Sequence, residues 1–277
     1  MSTGDRDSGL SKAAASSEGP ATLCLDIGNT HIVGGVFVGD TLAVQFRASS
    51  SAKPTSDELG VFLRSALREN GIEPDRIDRI ALCSVVPDIV HSLRNTCRKY
   101  FDLEPFVLEA GVKTGLKIRY RNPLEVGSDR IADAVAAVQQ FPNEDLIIVD
   151  FGTATTVEAI TRDRDYLGGM ILPGLRLTME ALEAKTAKLP AVEILEPERI
   201  VGRSTSESIQ SGLYYGTVGA IRYAIDRITE DEFDGQRPIV ISTGGFSSLF
   251  RDSQLFDHIL PDLLLRGLLR ALRMNTI

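Results

Sequence analysis

Two short segments carry an acid, a glycine and polar side chains in the same order. They are Asp26-Ile27-Gly28-Asn29-Thr30 and Asp150-Phe151-Gly152-Thr153-Ala154-Thr155-Thr156. A glycine at a tight bend has no Cβ, so backbone N–H groups can approach a phosphate closely. Asn29, Thr30 and the threonines of the second segment add side-chain donors. An acid at the end of the preceding strand can hold Mg²⁺ on phosphate oxygens, directly or through water. An ordinary hairpin turn uses the same residues. One copy alone therefore decides nothing; the recurrence favours two phosphate-holding hairpins.

A third segment, Gly127-Ser128-Asp129-Arg130, opens a run with helical periodicity. Asp129 there is either a carboxylate base or an N-cap, and Arg130 either an anion-binding group or a solvated charge. Thr243-Gly244-Gly245 follows an apolar strand and would let a planar ligand approach the backbone. Gly168-Gly169 and Pro173-Gly174 read as rigid turns. Gly202-Arg203-Ser204-Thr205 reads as a helix cap or a contact to a substrate hydroxyl.

These residues need elements to hold them. Thr22–Asp26 and Ile32–Val38 are apolar runs around the first bend, and Leu146–Val149 and Val157–Ile160 flank the second. Each pair reads as two strands joined by a tight turn. Helical spacing covers Asp57–Asn70, Asp88–Tyr100, Ile131–Gln140, Glu207–Ile228 and Leu255–Arg273. Further short strands are expected at Arg79–Val86, Pro105–Leu108 and Pro238–Ile241. Strands alternate with helices, so the class is α/β, and the repeated signature predicts a duplicated architecture.

Composition narrows the function. Of 277 residues, 43% are hydrophobic and 25% charged, which fits a folded globular chain rather than a disordered one. A net charge of −8 offers no basic surface for a nucleic acid. No apolar run approaches the roughly 18 residues of a membrane span. Cys24, Cys83 and Cys97 lack the spacing of a zinc site or disulfide framework, which points to a reducing cytosol. Residues 1–20, rich in Ser, Ala, Gly and Asp, read as a disordered tail without a signal-peptide core. The P-loop, the dinucleotide fingerprint, GxSxG and HExxH are all missing. His31, His91 and His258 are scattered.

The ordered set of Asp26–Thr30, Gly127–Arg130, Asp150–Thr156, Gly168-Gly169, Pro173-Gly174 and Thr243–Gly245 resembles the type III pantothenate kinases. These belong to the acetate and sugar kinase/Hsp70/actin superfamily. The resemblance runs from about Thr22 to Asn275 and implies two actin-like (ribonuclease H-like) lobes, residues 21–140 and 141–277, with an ATP cleft between them. It implies ATP-dependent phosphorylation of pantothenate, with Mg²⁺ and a monovalent cation, K⁺ or NH₄⁺. By position, Asp26, Ile27, Gly28, Asn29, Thr30, His31, Ile32, Val33 and Thr153 would bind ATP. Asp129 would be the catalytic base, and Tyr120, Gly127, Ser128, Asp129, Arg130 and Thr205 would bind pantothenate. Asp150 would hold the monovalent cation. A cytoplasmic homodimer with no nucleic-acid or membrane partner is expected. The alternative is a non-catalytic ATP-binding regulatory factor of the same fold; a damaged Asp129 or Asp150 would mark it, and neither is damaged.

Overall fold

The apolar run before the first bend forms strand β1 (Ala21–Ile27), which returns as β2 (His31–Val38) and again as β3 (Thr41–Ser49). The structure, a computed structural model, describes residues 19–50 and 54–276. The expected tail therefore lies outside the described residues, apart from Gly19 and Pro20.

Helix α1 (Ser56–Glu69) starts at a capping box: Thr55 accepts the Glu58 N–H, and Glu58 accepts the Thr55 N–H. Leu59, Leu63 and Leu67 line its buried face. Strand β4 (Ile77–Ser84), helix α2 (Pro87–Phe101) and strand β5 (Phe106–Val107) complete the first sheet, in the order β3-β2-β1-β4-β5. β1, β2 and β3 run antiparallel, whereas β4 and β5 add in parallel beyond β1. Leu23, Leu25, Ile27, Leu63, Leu82 and Leu93 lie in one buried cluster under this sheet.

The second half repeats the scheme. After β6 (Lys117–Ile118) and α3 (Ser128–Gln140) come β7 (Leu146–Phe151), β8 (Ala154–Ile160) and β9 (Asp165–Pro173), again an antiparallel meander. Helices α4 (Leu175–Lys185) and α5 (Thr205–Glu232) precede β10 (Ile239–Thr243) and β11 (His258–Ile259), which add in parallel beyond β7. Helix α6 (Leu263–Asn275) ends the chain. The order β11-β10-β7-β8-β9-β6 matches the first sheet strand for strand, with β6 as an extra edge. The duplicated α/β architecture read from the two hairpins is present.

Several local expectations change. Helix α3 begins at Ser128 rather than Ile131, so Asp129 lies inside its first turn. Gly168 and Gly169 sit within β9 instead of forming a turn. The leucine-rich helix begins at Leu263, because residues 255–262 hold turns and the short strand β11. The chain divides into one unit of 1–114, 127–132 and 265–277 and another of 115–126 and 133–264. A single boundary after residue 140 misses this, since α6 belongs almost wholly to the first unit.

Within that unit α6 lies against α3. A Cβ on Gly267 would collide with the backbone carbonyl of Ala132, so only glycine permits this approach. Since Ala132 is three residues after Asp129, the contact also fixes the helix start. Gly267→Ala should destabilise the protein by about 1–3 kcal/mol, read as a lowered melting temperature, and should reduce turnover further than that loss of folded protein explains. An unchanged melting temperature would show that α6 can shift freely.

Candidate active site

In the first unit the strand register places Cys83, Asp26, Val33 and Arg47 in one row across β4, β1, β2 and β3. Partners in register share a sheet face. Buried Cys83 donates its S–H to Asp26 Oδ1 at 3.2 Å. The adjoining bend is closed by the Gly28 N–H donating to the His31 carbonyl at 2.9 Å. Ser50 braces it twice, donating Oγ–H to the Gly28 carbonyl at 2.8 Å and N–H to the Thr30 carbonyl at 3.0 Å. The end of β4 ties this strand end to α3: the Val85 N–H donates to the Ile27 carbonyl, and Ser128 Oγ donates to the Ser84 carbonyl at 3.3 Å.

Asp129 thereby sits near Asp26. Its Oδ1 accepts the Arg130 N–H at 2.8 Å and lies over Gly127, where any Cβ would strike it. Arg130 itself is buried. Burial pushes the Asp26 carboxyl up to about 7; the Cys83 hydrogen bond opposes the rise, the Asp129 carboxylate adds to it, and the Arg47 guanidinium opposes it.

The second unit builds an equivalent row. Thr243, Asp150 and Thr156 are aligned across β10, β7 and β8. Its bend is one residue shorter, closed by the Gly152 N–H donating to the Ala154 carbonyl at 3.1 Å, with Thr153 at the exposed tip. Phe151 anchors it by stacking on Phe250, which stacks in turn on Tyr214, at centroid distances of 4.5 and 5.2 Å. Gly174, at the start of α4, packs against the same bend and donates its N–H to the Thr153 carbonyl at 3.2 Å. Gly244 has φ +87°, and its missing side chain makes room for Asp150 and the Phe151 backbone. The close approach expected there for a ligand is thus made by the protein itself.

The first unit brings Asp26–Val33 together with Gly127–Arg130. Ile27 and Ile32 point into the hydrophobic core, so only their backbones are available to a ligand. In the second unit, Asp150 and Thr153 share the bend. The Tyr120 ring lies on Gly168, 3.0 Å from where a Cβ would be. Thr205 is the exposed first residue of α5, after the Ser204 cap that accepts the Glu207 N–H at 3.2 Å. Sequence reasoning missed Cys83, Ser50 and Arg47, because strand register, not local pattern, gives them their place.

The type III pantothenate kinase family model matches residues 22–227. This chain belongs to the type III pantothenate kinase family. It is 57% identical over 254 residues to the type III pantothenate kinase of Legionella pneumophila strain Corby, covering 92% of this chain and 99% of the relative. It is 47% identical to type III pantothenate kinase 1 of Francisella tularensis subsp. holarctica strain OSU18, covering 91% and 99%. A Sinorhizobium meliloti structure described as a 2-dehydro-3-deoxygalactonokinase shares the fold, with TM-score 0.57, 12% identity and coverage of 92% and 96%. The family makes the chain an ATP-dependent phosphotransferase. Its named relatives are kinases, and the reading as a non-catalytic regulatory factor is not favoured. Among the described residues no helix is long and apolar enough to cross a membrane.

Asp26 holds its proton more tightly in the folded chain than its ordinary value of 3.8. Its contribution to stability is therefore full below about pH 4 and is lost as pH rises through about 7. Asparagine carries no such proton and can still accept the Cys83 S–H. Asp26→Asn should therefore raise the melting temperature more at pH 8 than at pH 5, while turnover collapses. An equal shift at both pH values would contradict the raised proton affinity.

Proposed function

We propose that this chain transfers the γ-phosphoryl group of ATP to the primary hydroxyl of pantothenate, giving 4′-phosphopantothenate and ADP, the first step toward coenzyme A. Kinship with the type III pantothenate kinases over most of the chain carries the reading. The residues in place agree with its chemistry. As the pantothenate oxygen bonds to the γ-phosphorus and the bond to the ADP oxygen breaks, the hydroxyl proton passes to the Asp129 carboxylate. The Arg130 N–H on Asp129 Oδ1 orients that carboxylate.

ATP, with Mg²⁺, is assigned to Asp26, Gly28, Asn29, Thr30, His31, Val33, the backbones of Ile27 and Ile32, and Thr153. Backbone N–H donors at such bends stabilise charge on phosphate oxygens. Pantothenate is assigned to Tyr120, Gly127, Ser128, Asp129, Arg130 and Thr205. For a monovalent cation, K⁺ or NH₄⁺, the candidate is Asp150. Thr156 Oγ1, beside it in the strand row, is buried without a hydrogen-bond partner among the described residues. A carboxylate with a neighbouring unsatisfied hydroxyl is a donor set of the hard-oxygen kind that such a cation takes. When bound, the cation would offset repulsion between Asp150 and the phosphates.

A homodimer agrees with the apolar surface of the second unit, where Ile171 and Val201 are 64% and 72% exposed, with Met170, Leu177 and Tyr223 also exposed. Along α5, Cβ atoms on Gly212, Gly216 and Gly219 would meet open space. Free thiols at Cys24, Cys83 and Cys97 suit a cytoplasmic enzyme, and neither a nucleic acid nor a membrane is proposed as a partner.

Pantothenate-dependent ADP release, followed in a coupled assay with Mg·ATP, tests the reaction. It should be faster in K⁺ or NH₄⁺ than in Na⁺, and Asp150→Ala should abolish the difference. ATP consumption indifferent to pantothenate would overturn the substrate. Equal rates in the three salts would remove the cation from Asp150.

A further inference from the structure

Arg47 is a charged residue on the face that carries Asp26, yet it is absent from the roles assigned above. It lies on the edge strand β3, directly opposite Val33, which is directly opposite Asp26. Two strand spacings put its Cα about 10 Å from that of Asp26, within reach of a long guanidinium side chain. Its positive charge is felt at Asp26, where it opposes the rise in proton affinity that burial causes. Arg47 is exposed and, among the described residues, has no ion-pair partner. The same strand continues to Ser50, which braces the Gly28–Thr30 bend.

A surface arginine ordinarily costs nothing when left in water. This one is different in its surroundings. It shares a sheet face with Asp26, whose carboxylate also feels the negative charge of Asp129. An anion entering there meets two negative groups, and the bend's N–H groups are dipoles rather than full charges. A guanidinium supplies a full positive charge and a planar fork that matches two phosphate oxygens.

We propose that Arg47 is an ATP-binding residue that grips the phosphate chain of the nucleotide held by the Gly28–Thr30 bend. The assignment rests on the reading of that bend as an ATP site. Pantothenate also carries a carboxylate, but Arg47 is fastened to the nucleotide segment: it pairs with Val33, and its strand braces Gly28 and Thr30.

Titration calorimetry of the full chain with Mg·ATP and with adenosine, beside steady-state kinetics, tests this on wild type, Arg47→Lys and Arg47→Gln. Arg47→Gln should weaken ATP binding by about tenfold or more and raise the KM for ATP alike. Adenosine binding, the KM for pantothenate and the melting temperature should stay near wild type. Arg47→Lys, which keeps the charge without the fork, should fall between the two. Unchanged ATP affinity in Arg47→Gln would overturn the assignment, as would equal weakening of ATP and adenosine, or a rise confined to the KM for pantothenate. A wild-type protein that does not bind ATP would instead overturn the reading of the bend.

Discussion

The site depends on keeping a carboxylate where folding alone would not choose one. Asp26 ends a buried strand, and Asp129 stands close enough for its charge to raise the proton affinity of Asp26 further. Neither burial nor like-charge repulsion favours this arrangement. It is held by constraints with other sources: the apolar core under β1, the Cys83 thiol beside the carboxylate, and the tie from Ser128 to the end of β4. The Asp129 carboxylate is held in turn by the amide of Arg130 and by the space that Gly127 leaves. In the proposed function, the Mg²⁺ that comes with ATP would supply positive charge beside these carboxylates.

Duplication supplied two frames, and small differences gave them different chemistry. In both units an acid ends the first strand of the meander and a glycine opens the bend. Beside Asp26 stand a thiol and a valine, Cys83 and Val33; beside Asp150 stand two hydroxyls, Thr243 and Thr156. The first row leaves the carboxylate with one weak donor and a distant cation. The second surrounds it with oxygen atoms, one of them a buried hydroxyl without a partner among the described residues. The proposed roles follow this difference, with a metal-bearing anion at the first frame and a cation at the second.

Much of this was legible in the sequence because it is local. Alternation and glycine placed both hairpins, and their likeness gave the duplicated sheets before any strand order was known. The ordered motifs gave the family. What stayed hidden depends on contacts between distant segments. Cys83 lies 57 residues from Asp26, and only the parallel pairing of β1 with β4 brings them together. Gly244 reads as an opening for a ligand until β10 is set beside β7, when Asp150 fills the space. The unit boundaries were illegible for the same reason: nothing local in α6 says that it packs on the start of α3.

The central claim is that Asp129 takes the proton of the attacking hydroxyl rather than merely serving the start of helix α3. Asp129→Asn tests it most directly, because asparagine is nearly isosteric and can still accept the Arg130 N–H. Thermal melting, ATP binding and the steady-state rate should be measured on the one variant. The account predicts near-native melting and retained ATP binding, with turnover lower by about 10²-fold or more. A folded variant that keeps most of the wild-type rate would contradict it.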